Sequence, residues 1–149
     1  MEIAVIGYVE NDVIERRDRD WGSVRSRIKL LNDYAGGLRG LEDFSHAIIL
    51  TYLHEAKFIR EKHLERRPRN LPEMPLVGIF SQRAKDRPNP IGLTSVKIID
   101  VDKDFLLVEG LDAINGTPVL DIKPYYPQYD RIDDPIIPEW VTCLLESYF

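Results

Sequence analysis

The chain has 149 residues, of which 44% are hydrophobic and 30% charged, and 20 basic against 25 acidic side chains leave a formal net charge of −5. A chain of this length can bury a core as one domain without disulfides. The negative charge excludes a broadly basic protein that coats nucleic acid. A single cysteine, Cys143, excludes an internal disulfide and a cysteine-rich metal framework. We therefore expect one globular domain over residues 1–149 and no metal site.

The sequence has no segment of the length or composition that a membrane requires. No run approaches the ~20 apolar residues of a spanning helix. The first residues, Met1-Glu2-Ile3-Ala4, lack the basic flank and apolar core of a secretory signal. We therefore expect a cytoplasmic protein without a membrane partner.

Strand signals dominate the first half of the chain. Residues 3–9 form a short apolar run suited to a buried first strand, and residues 24–30 alternate basic and apolar side chains with a period of two. Residues 46–53 are apolar and β-branched. Residues 55–67 are predicted to form a helix that ends at Pro68, because proline cannot continue a helix.

All ten prolines lie after residue 67, and this part of the chain also carries further short strands. We predict strands over residues 76–81, 93–101 and 105–109. Asn115-Gly116 favours a type I′ hairpin between a strand near Leu111 and one over residues 117–122.

The C-terminal region is predicted to be helical over residues 138–148, with Pro138 at its start. Cys143 lies on this apolar-striped helix, and we expect it in the core. Many short strands with few helices predict a mainly β fold, a small single-domain β-barrel with short peripheral helices.

The loop over residues 81–94 is the most informative stretch for chemistry. Arg83, Lys85 and Arg87 fall within five residues of one another, and Pro88 and Pro90 stiffen the chain that follows. A rigid loop loses less entropy when it holds a ligand. Arg83 and Arg87 could therefore clamp a carboxylate or phosphate, and a merely solvated charged turn is the alternative.

A second polar group follows Asn115-Gly116. On an extended chain Asp121, Lys123 and Tyr125 share one face. Three polar groups beside an apolar strand can orient a polar ligand. An Asp–Lys surface pair on an edge strand is the alternative. His54 lies where a strand gives way to polar chain, so site and structural roles both stay open for it.

Motifs of other enzyme classes are missing from the sequence. There is no Gly-x-Ser-x-Gly elbow, no Walker A loop and no Gly-x-Gly-x-x-Gly turn. A Rossmann dinucleotide site is therefore excluded.

Two segments are basic despite the negative net charge. Residues 16–29 and residues 57–69 each carry six basic and two acidic side chains. If both share a face with the loop of Arg83 and Arg87, that face could hold RNA phosphates. A solvated surface that aids solubility is the alternative.

The sequence strings over residues 40–46, 77–83, 87–94 and 111–125 together resemble the TsaA-like (YaeB, TrmO) family. The two most specific are Arg87-Pro88-Asn89-Pro90-Ile91-Gly92 and Asp121-Ile122-Lys123-Pro124-Tyr125. Their order and spacing also match. The resemblance covers residues 3–127 and leaves residues 128–149 as a C-terminal tail with a helix.

The resemblance implies a β-barrel that binds S-adenosylmethionine without a Rossmann fold, often as a homodimer. Family members methylate the exocyclic nitrogen of threonylcarbamoyladenosine beside the anticodon of threonine tRNA. Carried onto matching positions, the implied cofactor contacts are His54, Glu55, Arg83, Ser95, Pro118, Val119, Leu120 and Asp121.

The chain departs from the family pattern near residue 21. The family often has a Pro-Arg-Gln string early in the chain that contributes to the cofactor site, and residues 19–24 lack it. Trp21 could stack on adenine in its place, and a core or interface tryptophan is the alternative.

The implied reaction assigns roles to further residues. Asp121 and Tyr125 are candidates to bind or activate the acceptor nitrogen. Arg87, Asn89 and Lys123 are candidate substrate contacts. Two alternatives stay open: a methyltransferase for a different RNA or a small molecule, and a non-catalytic S-adenosylmethionine-binding module.

Overall fold

The computed structural model describes residues 2–149, which contain eight β-strands and three short α-helices. The strands are β1 (Gly7–Glu10), β2 (Arg25–Leu30), β3 (His46–Tyr52), β4 (Glu65–Arg66), β5 (Val77–Gly78), β6 (Ile91–Val101), β7 (Phe105–Glu109) and β8 (Pro118–Pro124). The α-helices are α1 (Arg60–His63), α2 (Pro127–Asp130) and α3 (Glu139–Leu145). Short 3-10 helices span Asn32–Leu38, Leu41–Asp43, Pro68–Asn70 and Ile79–Ser81.

Six of the strands close into an antiparallel barrel in the order β1-β2-β7-β6-β3-β8. Closure leaves the barrel without an unpaired sheet edge. The mainly β barrel with short peripheral helices that the sequence predicts is confirmed. Because β2 and β3 are three places apart in a ring of six, they lie on opposite sides of the barrel.

The alternation in the sequence fills the barrel interior. On β2, Ser26, Ile28 and Leu30 are buried, whereas Arg25 and Arg27 point to solvent. The same period places Ala47 and Ile49 of β3 and Val96 of β6 inside, with Leu106, Val108 and Val119 from the neighbouring strands. Two-residue periodicity on a closed sheet therefore decides which side chains form the core.

The first strand is shorter than expected. Residues 3–6 precede β1, which begins at Gly7. Gly7 allows a close approach to β2, because a Cβ there would lie 2.4 Å from the Lys29 carbonyl oxygen.

Residues 53–90 leave the barrel between β3 and β6, and we call this segment the excursion. It carries the two-stranded sheet of β4 and β5 outside the barrel. The predicted helix over residues 55–67 is wrong except for the four residues of α1. The chain leaves the helix because the Leu64 carbonyl accepts from the Ile79 amide at 2.9 Å and β4 then pairs with β5. The predicted strand over residues 76–81 likewise shrinks to β5.

The predicted hairpin at Asn115-Gly116 is also wrong. Residues 111–114 are not a strand, and β8 pairs with β1 and β3. Gly116 has φ of +80°, but Asn115 has no positive φ, and a type I′ turn needs both. The Thr117 amide instead closes a turn on the Ile114 carbonyl at 3.2 Å.

The C-terminal residues fold back onto the barrel. The Trp21 amide donates to the Tyr148 carbonyl at 2.9 Å, and the Tyr148 hydroxyl donates to Asp112 at 2.8 Å. The predicted helix over residues 138–148 is confirmed in its central part, as α3. The core placement of Cys143 is wrong, because α3 lies over the surface and leaves this side chain exposed. No helix within residues 2–149 has the length and apolar character needed to cross a membrane.

Candidate functional site

The candidate site is the outward-facing side of β6, β3 and β8, which we call the outer face. The alternate residues of β3 that point away from the core are His46, Ile48, Leu50 and Tyr52. Pairing places side chains of β6 and β8 on either side of them in rows. The central rows are Ser95–Ile48–Lys123 and Leu93–Leu50–Asp121.

These rows bring together three residues that are far apart in the sequence. Ser95 lies on one side of β3, and Asp121 and Lys123 lie on the other. Lys123 donates to the Asp121 carboxylate at 2.6 Å. This hydrogen bond and the negative charge of Asp121 raise the pKa of Lys123. Asp121 and Lys123 therefore form the surface ion pair that the sequence analysis gave as the alternative to a ligand site. The pair also borders the apolar centre of the outer face.

Arg83 joins the same face from the excursion. Its guanidinium donates to the carbonyl oxygen of Leu93 on β6. The Arg83 side chain is otherwise exposed, and Leu93 beside it is 48% exposed. A cation is thus fixed at the edge of an uncovered apolar surface, a position from which it can bind an anionic group.

Four more predicted residues lie at one end of the three strands. His54 and Glu55 follow β3, Asn89 precedes β6, and Pro118 begins β8. The chains on either side of this end are joined, because the Leu53 amide donates to the Pro90 carbonyl at 2.8 Å. His54 and Asn89 are exposed, whereas Glu55 forms an ion pair at 3.2 Å with an arginine of the β1–β2 loop.

Tyr125 lies at the other end of the outer face. Its ring centroid is 6.5 Å from that of His46, and its amide donates to the His46 carbonyl at 3.1 Å. Asp121 and Lys123 share the outward side of β8, and Tyr125, one residue beyond this strand, lies beside His46. Four residues of extended chain nevertheless separate the Cα atoms of Asp121 and Tyr125 by about 13 Å. One small reacting group cannot touch both side chains at once.

Three predicted cofactor contacts have little side chain to offer. Trp21 is 3% exposed and its indole donates to the Arg17 carbonyl at 3.2 Å, so the structure favours the core alternative for it. Val119 is fully buried in the core. Leu120 is the extra residue of a β-bulge, because Leu50 pairs with Asp121 and the next residue, Thr51, pairs with Val119. A β-bulge changes the direction in which the side chains that follow it point. After this bulge, Asp121 and Lys123 point outward from β8.

The sequence reasoning missed a buried polar network under the loop of Arg83 and Arg87. Arg66 forms an ion pair with Asp86 at 3.7 Å, with both side chains less than a fifth exposed. Gln82 is buried and its amide donates to the Arg66 carbonyl at 2.9 Å. Arg87 donates to the Gln82 carbonyl at 3.1 Å and is half-buried. The feature of the sequence that could have indicated this network is Asp86, the single acidic residue between Lys85 and Arg87.

The two basic segments do not share one face. Arg25, Arg27 and Lys29 lie on β2, opposite β3, and each forms an ion pair with a carboxylate of a neighbouring strand or turn. The earlier part of that segment does contact the excursion. Arg16 pairs with Glu55, and Asp18 pairs with Arg69 at 3.9 Å. Within the first segment, Asp18 therefore contacts the second basic segment, and Arg16 contacts Glu55, two positions before it.

The outer face has the chemistry of a site for a polar, partly aromatic ligand. Leu93, Leu50 and Ile48 offer apolar surface, Arg83 offers a cation, and Asp121 offers a carboxylate. Such a combination can orient a ligand that carries both a ring and charged groups. Within residues 2–149 no three His, Cys, Asp or Glu side chains are grouped so that they could hold a metal ion.

Comparison with known proteins identifies this architecture. The chain is 36% identical over 107 residues to a Pyrococcus abyssi protein named "Probable S-adenosyl-L-methionine-binding protein", a match that covers 72% of this chain and 55% of the relative. It is 41% identical over 107 residues to the human tRNA (adenine(37)-N6)-methyltransferase, covering 72% of this chain and 24% of that protein. A crystal structure of TrmO from Pseudomonas aeruginosa superimposes with a TM-score of 0.75 at 31% identity, covering 94% of this chain and 61% of that one.

The chain thus spans about half the length of the archaeal relative and a quarter of the human one. The model of the tRNA-methyltransferase O N-terminal domain matches residues 8–131, which include every barrel strand except the first residue of β1. Sequence and structural similarity extend over the same strands. This chain belongs to the family of the tRNA-methyltransferase O N-terminal domain.

Proposed function

We propose that the protein is an S-adenosylmethionine-dependent methyltransferase that acts on tRNA. The acceptor is the exocyclic nitrogen of threonylcarbamoyladenosine beside the anticodon of threonine tRNA. The name of the archaeal relative supports S-adenosylmethionine as the cofactor, and the name of the human relative supports tRNA as the substrate class. The observation that carries the proposal is that Arg83, Ser95 and Asp121, which are far apart in the sequence, all lie on the outer face.

The residues of the outer face fit S-adenosylmethionine. Arg83 would bind its carboxylate, and Asp121 would accept hydrogen bonds from its ammonium or ribose hydroxyls. Leu93 offers exposed apolar surface for the adenine ring. His54, Glu55 and the backbone of residues 118–120 would contact it from the end of the strands. When bound, the cofactor supplies a methyl group on a positively charged sulfur.

The chain's own contribution is alignment and a proton acceptor. A urea-like nitrogen is a weak nucleophile until its proton is lost or shared. Asp121 is the carboxylate of the outer face that can take up this proton, and Lys123 orients it through their 2.6 Å contact. Because Tyr125 lies about 13 Å along the strand, it would contact another part of the substrate.

The remaining contacts would hold the RNA. Asn89 is exposed at the strand ends and can hydrogen-bond to a base. Lys123 can meet a phosphate. Arg87 is engaged with the Gln82 carbonyl, so it would bind the threonyl carboxylate with its remaining donors.

We also propose a cytoplasmic homodimer. Ile132, Ile136 and Ile137 in the chain between α2 and α3 are between 55% and 100% exposed. Three uncovered isoleucines in one short segment are typical of a protein–protein contact. All three isoleucines precede α3 in the chain, and α3 carries a further large apolar side chain, Trp140.

Nucleoside analysis of tRNA tests the proposed reaction. The purified chain, incubated with S-adenosylmethionine and threonine tRNA that carries threonylcarbamoyladenosine, should yield the methylated nucleoside by mass spectrometry. Unmodified adenosine at the same position serves as the control acceptor. Cofactor binding without any methylated nucleoside would favour the non-catalytic binding module, and methylation of another RNA would favour the alternative substrate.

A further inference from the structure

The excursion is an island of positive charge on an acidic protein. Residues 53–90 carry nine basic and five acidic side chains, whereas the rest of the chain carries 11 basic and 20 acidic ones. The fold separates these charges, because the excursion lies outside the barrel between β3 and β6. A charge boundary that coincides with a structural boundary points to a separate role for this segment.

Several cations of the excursion are free to bind an anion. Lys57, Arg60 and Lys62 are exposed, and within residues 2–149 none of the three forms an ion pair. By contrast, Arg25 and Arg27 on the far side of the barrel are neutralised by Glu109 and Glu10. A free cation can exchange its counterions for a phosphate without first breaking an ion pair.

Hydrogen bonds and an ion pair tie the segment of these cations to the loop that carries Arg83. The Lys57 amide donates to Asp86 at 3.0 Å, and Asp86 also pairs with Arg66. The segment around α1 is thereby tied to the loop that contains Arg83, and Arg83 is bonded to β6. The segment that carries the free cations is therefore linked, through the loop of Arg83, to the outer face.

An aromatic side chain lies uncovered beside this surface. Phe80 is 78% exposed, the most exposed phenylalanine of the chain. It follows Ile79, whose amide donates to the Leu64 carbonyl one residue after α1, and it precedes Arg83 by three residues. Unstacked bases of single-stranded RNA stack on exposed aromatic rings, and phosphates bind the cations around them.

We propose that the excursion is the RNA-docking element of this protein. Lys57, Arg60 and Lys62 bind phosphates of the tRNA, and Phe80 stacks on an unpaired base of its anticodon loop. This inference rests on the proposed tRNA substrate. It adds the surface by which a chain of net charge −5 binds a polyanion.

The salt dependence of tRNA binding tests the phosphate contacts. The affinity for a nucleic acid falls as the salt concentration rises, and each phosphate contact increases the magnitude of the slope of log affinity against log salt by about 0.7 to 0.9. The variant Lys57→Gln/Arg60→Gln/Lys62→Gln should therefore lower the slope by roughly 2 to 3 units. The matched control Arg25→Gln/Arg27→Gln/Lys29→Gln removes the same charge from the opposite side of the barrel and should leave the slope unchanged.

The outcomes separate this inference from the proposed function. Both triple variants should bind S-adenosylmethionine as the wild type does, which also shows that they fold. If the wild type binds threonine tRNA and the excursion variant keeps its slope, or if both variants lose slope equally, the docking surface is overturned and the function stands. A wild type that binds S-adenosylmethionine but no tRNA overturns both.

A second variant tests the stacking contact independently of charge. Phe80→Ala should weaken tRNA binding about 5- to 100-fold, the range for the loss of one stacked base. The salt slope should not change, because no cation is removed. Tyr34→Ala, on the 3-10 helix after β2, is the control and should bind as the wild type does. An affinity of Phe80→Ala equal to that of the wild type would overturn the stacking role.

Discussion

At the scale of single residues, exposure decides which polar groups can act on a ligand. Arg83 and Arg87 are equivalent in the sequence, yet only Arg83 reaches the outer face, while Arg87 is bound within its own loop. Asp121 and Lys123 share a face because they are two positions apart on a strand. Trp21, which the sequence left open between ligand and core, is buried.

Arg83→Ala should weaken the binding of S-adenosylmethionine. A hydrogen bond between charged groups contributes about 1.5 to 3 kcal/mol, so calorimetry should show a loss of roughly 10- to 100-fold. Arg39→Ala, an exposed arginine outside the site, is the control. Unchanged affinity of the Arg83 variant would remove this residue from the cofactor site.

Asp121→Asn should slow methyl transfer while the barrel remains folded. A positioned proton acceptor contributes roughly 10²- to 10⁴-fold to a rate, so single-turnover transfer at saturating cofactor should fall within that range. Asp43→Asn, exposed on a 3-10 helix, should transfer methyl groups normally. If the Asp121 variant keeps the wild-type rate, another group is the acceptor.

At the scale of elements, hydrogen bonds from distant segments overrule local signals. Residues 55–67 read as a helix, but the pairing of β4 with β5 uses the backbone groups that would extend it. The C-terminal chain is similarly fixed from a distance. Asp112 accepts hydrogen bonds from Tyr148 and from Thr94 on β6, which ties the chain terminus to the barrel.

Tyr148→Phe should lower the free energy of unfolding by about 2 kcal/mol, the contribution of a hydrogen bond to a charged group. Burial, with the nearby Asp112 charge, raises the pKa of Tyr148. The unfolded chain therefore loses the tyrosine proton first as the pH passes about 10. The stabilisation is complete below that pH and declines above it.

Urea denaturation of wild type and Tyr148→Phe measures this effect. The difference in unfolding free energy between the two proteins should stay constant from about pH 8 to about pH 10 and become smaller by about pH 11, because only the wild type loses the contribution of this proton. A difference that stays constant over this range would show that the Tyr148 hydroxyl does not titrate differently on folding. Tyr129→Phe, 85% exposed, serves as the control.

At the scale of the whole molecule, charge and apolar surface are divided among regions. The cations of β2 are neutralised by ion pairs, whereas the excursion keeps free cations. The chain between α2 and α3 exposes isoleucines. The two +4 segments of the sequence therefore have different surroundings. The net charge of −5 for the whole chain therefore does not describe the surroundings of either basic segment.

Ile136→Ser/Ile137→Ser should convert the proposed dimer to a monomer. The substitutions remove the apolar surface that a partner copy would cover. Light scattering at a fixed protein concentration should show the molar mass fall by half. Ile14→Ser, 73% exposed in the β1–β2 loop, should leave the mass unchanged. A wild-type protein that is already monomeric would contradict the dimer.

The sequence by itself determined the barrel class, most of its strands and the residues of the outer face. Two-residue alternation marks which side chains of β2 and β3 face inward, and the motif around Asp121 lies on one strand, β8. These are local properties of an extended chain.

Only the tertiary structure decided how β3, β6 and β8 assemble the site and how the excursion folds. Ser95 and Asp121 lie on the same face because β3 pairs with both of their strands, and Arg66 forms an ion pair with Asp86, twenty positions along the chain. Exposure of Phe80 and burial of Trp21 likewise depend on what packs against them. Such contacts join residues distant in the chain, and their free energy comes from packing that no local pattern records.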